Sequence, residues 1–251
     1  MAGHSKWSNI KRRKGAVDAQ RGKVFTKLVR EITTAARLGG ADPDGNPRLR
    51  AAIVAARSQS MPAENVTRAV KKGAGDLDGP PMEDCQYEGY GPGGVALFIE
   101  AQTDNRNRTS ADIRAAFNKM GGNLGAPGSV AWMFKKVGLF VFDHDRYSEE
   151  EVMDVALDAG ADDVSVEDDS VHVMCDPKDF NDILDQFDRR NLTYATAELT
   201  MQSDNQTKVE GKNADTLFKL IDRLEDLDDV QKVHANFDLD DSELARLSEE
   251  A

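Results

Sequence analysis

Residues 139–201 read LFVFDHDRYSEEEVMDVALDAGADDVSVEDDSVHVMCDPKDFNDILDQFDRRNLTYATAELTM. Leu139 to Phe142 is a short apolar run of strand type, and 148–159 reads as a helix. Val164 to Val166 and Val171 to Met174 form a hairpin across Glu167-Asp168-Asp169-Ser170. A helix over 177–190 and a strand over 194–201 complete the set. The order β-α-β-β-α-β is the split βαβ arrangement of a ferredoxin-like domain.

On the N-terminal side of this stretch, Val95-Ala96-Leu97-Phe98-Ile99 suits a buried strand. Residues 109–120 read as a helix with Thr109 or Ser110 as cap, ended by Gly121-Gly122. Val130 to Phe134 reads as a further strand. On the C-terminal side, 213–228 carries Leu217, Leu220, Ile221 and Leu224 at helical spacing, and Val230 to Phe237 is strand-like. These flanking pieces make one α+β sandwich, so 137–203 is read as an insertion into a domain built from 80–136 plus 204–240. The acidic tail, 241–251, is expected to fray from Asp238 onward.

The first third differs in kind. Residues 1–16 read as a flexible basic arm, and 17–79 as a three-helix domain. The first helix, 17–38, places Val24, Phe25, Leu28, Val29, Ile32, Ala35 and Ala36 on one stripe and stops at Gly39-Gly40. Asn46-Pro47 restarts the chain as an N-cap with proline at the first helical position. Met61-Pro62-Ala63-Glu64 opens a third helix with Val66, Ala69 and Val70 inward, and Gly73 is read as its cap. Residues 74–82 are a linker by composition. The fold class is therefore α+β: an N-terminal three-helix domain followed by two ferredoxin-like α+β domains, one inserted into the other.

Charge is divided along the same line. Residues 1–75 hold 16 Lys and Arg against 5 Asp and Glu, a balance of +11. Residues 76–251 hold 16 against 40, a balance of −24, which together give the net −13. Screening confines each charge to a range of about 10 Å, so the local balance decides what a surface binds. A basic segment of this density points to a polyanion. The candidate nucleic-acid contacts are Lys6, Lys11, Arg12, Arg13 and Lys14 on the arm, with Trp7 placed to stack on a base. Arg21, Lys23, Lys27 and Arg30 on the first helix and Arg68, Lys71 and Lys72 on the third join them. The loop Thr103-Asp104-Asn105-Arg106-Asn107-Arg108-Thr109 adds Arg106 and Arg108, near enough to a helix N-terminus to hold an anion.

Other classes find little support. No run approaches the 18 or so apolar residues of a membrane span, and residues 1–14 lack the apolar segment of a secretory signal. Cys85 and Cys175 lack metal or disulfide spacing, and are read as ordinary thiols of a reducing compartment. The four histidines have no paired spacing, and no GxSxG is present. Gly89-Tyr90-Gly91-Pro92-Gly93-Gly94 lacks the Lys of a phosphate loop and reads as a tight hairpin turn. The expectation is a non-enzymatic protein without metal, cofactor, small-molecule substrate or membrane.

Five ordered motifs resemble one family. They are Ala2-Gly3-His4-Ser5-Lys6-Trp7 with Ile10-Lys11 and Lys14, the stretch Met61-Pro62 to Gly75, Glu88 to Gly94, Thr103 to Thr109, and Gly128-Ser129-Val130-Ala131-Trp132-Met133-Phe134. Together they resemble the YebC/PmpR family over essentially the whole chain. The resemblance implies a helical domain with two α+β domains, one inserted in the other. It also implies a bacterial cytoplasmic protein, because the opening motif begins at Met1. It supplies no catalytic residue. It leaves two functions open: a DNA-binding transcriptional regulator at promoters, or a ribosome-associated RNA-binding factor that relieves stalled translation. Mitochondrial relatives of the second kind activate translation of cytochrome c oxidase subunit I.

Overall fold

The structure is a computed structural model that describes residues 17–75, 82–167 and 169–249, leaving aside the side chains of 17–21, 241, 248 and 249. The predicted basic arm and most of the predicted linker lie outside the described residues. Three helices come first: α1 (Val17–Gly39), α2 (Pro47–Ser58) and α3 (Ala63–Ala74). Then come β1 (Glu83–Tyr90), β2 (Ala96–Thr103), α4 (Arg106–Lys119) and β3 (Asn123–Leu124). The inserted segment runs β4 (Phe134–Asp143), α5 (Glu149–Asp158), β5 (Asp163–Glu167), β6 (Ser170–Cys175), α6 (Phe180–Arg189) and β7 (Thr196–Ser203). The chain closes with β8 (Thr207–Lys208), α7 (Gly211–Glu225), β9 (Val230–Ala235), β10 (Phe237–Asp238) and α8 (Asp241–Glu249).

The chain forms two compact units. One gathers the described residues up to Lys23 with 82–135 and 202–249. Its four-stranded sheet has the order β3-β1-β2-β9. Strands β1 and β2 pair antiparallel from Glu83↔Thr103 to Tyr90↔Ala96. The turn between them is a hairpin, as read from sequence: the Gly91 N–H donates to Val95 O at 2.8 Å, and Gly93 and Gly94 sit at φ 76° and 78°. The core joins Val95, Leu97 and Ile99 to Ile113 and Phe117 of α4 and to Leu217, Leu220, Ile221 and Leu224 of α7. Each such side chain contributes about 1.5–3 kcal/mol on burial. Two helices on an antiparallel sheet are the expected α+β layering. Unlike the inserted segment, the two central strands here are consecutive in the chain.

The other unit holds 24–75 with 136–201. Its sheet order is β5-β6-β4-β7, the order a ferredoxin-like domain requires. Phe140 stacks on Phe180 at 4.8 Å and meets Phe187 edge-on at 5.1 Å. Ser148 and Glu151 close a capping box at the start of α5. Ala51 and Val54 of α2 lie in this same core, so the helical segment and the inserted segment share buried surface. The remaining helical core is Ile32, Ala35, Ala36, Leu49, Ala52, Ala56, Met61, Val66 and Ala69, the stripes that the sequence predicts.

Four expectations need correction. Gly73 does not cap α3, which continues through Ala74. It is buried against α1, where a Cβ would run into the Thr33 carbonyl oxygen and lie 2.8 Å from Ala36 Cβ, so glycine sets how closely α3 approaches α1. The helix expected from 109 begins at Arg106 and is capped by Asn105, whose Oδ1 accepts from the Arg108 N–H at 3.1 Å. Val130 to Met133 is not strand, because Ala131–Met133 form a 3₁₀ turn and the strand starts at Phe134. The segment past Asp238 does not fray throughout. Leu239 and Leu247 enter the core, and the α8 residue Glu243 accepts from the Gly211 N–H at 2.9 Å, at the start of α7.

Candidate nucleic-acid interface

The predicted contacts fall into three groups. Lys6, Trp7, Lys11, Arg12, Arg13 and Lys14 lie outside the described residues, as does the side chain of Arg21. On α1, Lys23 is exposed and pairs with Asp226 at 2.7 Å, while Lys27 and Arg30 are half-buried. On α3 the apolar residues Val66 and Ala69 face the helical core, which turns Arg68, Lys71 and Lys72 outward. Arg68 holds Glu64 one turn back at 2.8 Å, with both side chains largely in solvent. An exposed pair of this kind is worth about 0–1 kcal/mol and yields readily to a phosphate. Lys71 and Lys72 have no ion pair among the described residues. Arg37, in the last turn of α1, is likewise exposed and unpaired among them. Arg48 and Arg50 serve the fold instead: Arg48 bonds Glu31 through Nε at 2.7 Å, and Arg50 donates to the Pro43 carbonyl at 3.2 Å.

The loop arginines sit differently. Arg106 Nε bonds Glu83 at 2.7 Å. Arg108 bonds Asp229 at 2.7 Å and Asp104 at 2.9 Å. Asp229 Oδ2 also accepts from the Thr109 hydroxyl at 2.7 Å and the Thr103 hydroxyl at 3.2 Å, both buried. Burial pushes the Asp229 carboxyl up. The hydrogen bonds from Arg108, Thr109 and Thr103 and the guanidinium charge outweigh it and hold the group below the usual carboxylate range. The TDNRNRT loop is thus a junction fastening the end of β2 to the start of α4 and to the turn before β9. Asp229 was missed in the sequence because it lies 120 residues from Thr109 and no spacing links the two.

A second buried carboxylate organises the neighbouring turn. Glu88 on β1 accepts from the N–H groups of Gly128 at 2.6 Å, Val130 at 2.7 Å and Ala131 at 2.7 Å. Burial raises its pKa, and the three backbone donors more than reverse this, leaving it lowered. The Gly128 to Phe134 motif is therefore a turn fixed by one side chain on the adjacent strand. Among the described residues no cluster of three or more His, Cys, Asp or Glu is placed to hold a metal ion. Cys85 is half-buried and Cys175 buried, both as free thiols. No helix among the described residues is long and apolar enough to cross a membrane.

Comparison with known proteins places this arrangement. Residues 5–76 match the TACO1/YebC protein N-terminal domain, and 82–237 match the TACO1/YebC second and third domain. The chain belongs to the TACO1/YebC family. A protein of Syntrophobacter fumaroxidans is 54% identical over 99% of this chain and 100% of its own length. One from Geobacter sulfurreducens is 51% identical over 98% of this chain and 100% of its own. Both carry the name probable transcriptional regulatory protein. The crystal structure of a conserved hypothetical protein from Aquifex aeolicus superposes with a TM-score of 0.81 at 43% identity, covering 90% of this chain and 93% of that one. The α+β fold read from periodicity and the YebC family resemblance read from the five motifs both hold.

Proposed function

We propose that this protein regulates gene expression by binding nucleic acid through its basic N-terminal third, as a DNA-binding transcriptional regulator. The observation that carries the reading is the charge division: +11 over residues 1–75 in a chain of net −13, with Lys71 and Lys72 exposed at the end of α3 and without an ion pair among the described residues. Binding of this kind rests on phosphate neutralisation and counterion release. The names of the bacterial relatives agree with a regulatory role. Arg106 and Arg108 join the interface only if a phosphate displaces their carboxylate partners.

One observation favours RNA on a ribosome as the alternative target. A helix that reads bases in the major groove presents Arg, Asn or Gln from its first turn. The first turn of α3, Ala63 to Val66, offers one such residue, Asn65, which is half-buried, and the helix's cations come late. That pattern suits phosphate and shape recognition over base reading.

Binding to a 20-base-pair duplex and to a structured RNA, each measured across a salt series, tests the reading. Changing Lys11, Arg12, Arg13 and Lys14 to Ala should weaken binding and flatten the log–log salt slope by about 3 to 4. An unchanged slope would remove the arm from the interface. Crosslinking in cells then separates the targets: sites at promoters support the regulator of transcription, and sites in ribosomal RNA support the translation factor.

A further inference from the structure

The acidic two-thirds of the chain contains one region unlike the rest. From Ile113 to Lys136 there is no Asp or Glu, while Arg114, Lys119, Lys135 and Lys136 are present. Residues 89–99, the Gly-rich hairpin, are also free of acid. Elsewhere in 76–251 no run free of Asp and Glu exceeds nine residues. In this acid-free stretch of sequence stands Trp132, 68% exposed, with Tyr90 beside the same turn at 36%. An indole this exposed keeps most of its apolar face available to a partner.

The polar atoms of both rings are already occupied. Trp132 Nε1 donates to the Ser129 carbonyl at 3.2 Å, and the Tyr90 hydroxyl donates to the same oxygen at 3.1 Å. What each ring has left to offer is its face. The turn beneath is rigid, because Glu88 takes the N–H groups of Gly128, Val130 and Ala131. A fixed aromatic face loses little entropy on binding. Lys135 follows three residues later, paired with Asp204 at 3.5 Å in a contact open to solvent on both sides.

We propose that Trp132, steadied by Glu88 and flanked by Tyr90, is a stacking platform for an unpaired base of a single strand. The site rests on the reading of the protein as a nucleic-acid binder and adds to it a contact in the acidic two-thirds of the sequence. Aromatic stacking tolerates any base; the Glu88 carboxylate nearby is buried and taken up by three backbone donors, and Lys119, Lys135 and Lys136 of the same acid-free stretch supply positive charge for a phosphate chain.

The test uses the full chain with a 12-nucleotide single-stranded RNA and an abasic strand of equal length and charge. Trp132→Ala should weaken binding to the base-bearing strand about tenfold without altering the salt slope. It should leave the abasic strand's affinity as it was, and Trp132→Phe should retain most of the binding. In a Trp7→Phe background, emission from Trp132 should be quenched by the base-bearing strand alone. Equal binding of both strands by the parent chain and by Trp132→Ala would overturn the platform and leave the basic interface standing. A parent chain that binds neither strand nor duplex would overturn both.

Discussion

Arg106 and Arg108 in the α4 loop and Lys71 and Lys72 on α3 look alike in sequence, as cations near the end of a helix. In the structure they differ. The loop arginines face Glu83, Asp104 and Asp229, while the α3 lysines face solvent. A cation's role follows from whether a carboxylate has been folded against it. The loop spends its charge on the fold, and α3 keeps its charge for a partner.

The largest effect that would sharpen this contrast is expected at the carboxylates. Asp229→Ala should lower stability by about 2–3 kcal/mol, read as a denaturant midpoint, because the buried Thr103 hydroxyl loses its acceptor and Arg108 loses its partly buried carboxylate partner. Glu88→Ala should cost a comparable amount by orphaning three backbone donors. Little change from either would mean that the loop and the turn are held by something else.

Acid should reach the same two groups. Both carboxyls lie below their usual values in the fold, so the folded chain binds these protons less readily than the unfolded chain. Their stabilisation is complete above the unfolded values of about 3.9 for Asp and 4.3 for Glu, and is lost as pH falls through the lower folded values. Urea titrations stepped down from about pH 5 should show less loss in Asp229→Asn than in the parent. Equal losses would detach Asp229 from the acid sensitivity.

Gly73→Ala is a test within the helical segment. The added methyl meets a backbone carbonyl that cannot swing aside, so a cost of about 1–3 kcal/mol is expected in thermal unfolding. The smallest stability effect, within about 0.5 kcal/mol, is expected from Lys71→Ala with Lys72→Ala. The same pair should reduce the salt slope of duplex binding by about 2. Arg108→Ala should do the reverse, weakening the fold and leaving the salt slope unchanged. If it instead lowered the slope as the lysines do, the contrast between the two regions would fail.

Much of the architecture was legible because it repeats locally. The alternation and helical spacing in 139–201 specify a ferredoxin-like order whose sheet is indeed β5-β6-β4-β7. Asn46-Pro47 marks a helix start through purely local chemistry, since Asn46 caps the helix it precedes. The errors were tertiary. Thr109 looked like a cap because hydroxyls favour that position, yet its hydroxyl reaches Asp229. Val130 to Met133 looked like strand from its apolar content, until Glu88 claimed the Val130 and Ala131 donors. Of the candidate interface, the sequence named the cations. It could not tell which were already spoken for, nor that Trp132 stands open to solvent.

The sequence by itself determined the α+β class, the helical stripes, the insertion and the division of charge. Each depends on side-chain type and spacing along the chain, which survive unfolding. Only the tertiary structure decided that Asp229 holds Arg108, that Glu88 fixes the Trp132 turn and that Gly73 lies against Thr33. Those are meetings of residues 40 to 121 positions apart, where hydrogen bonds and close packing act over a few ångströms of space and leave no period in the chain.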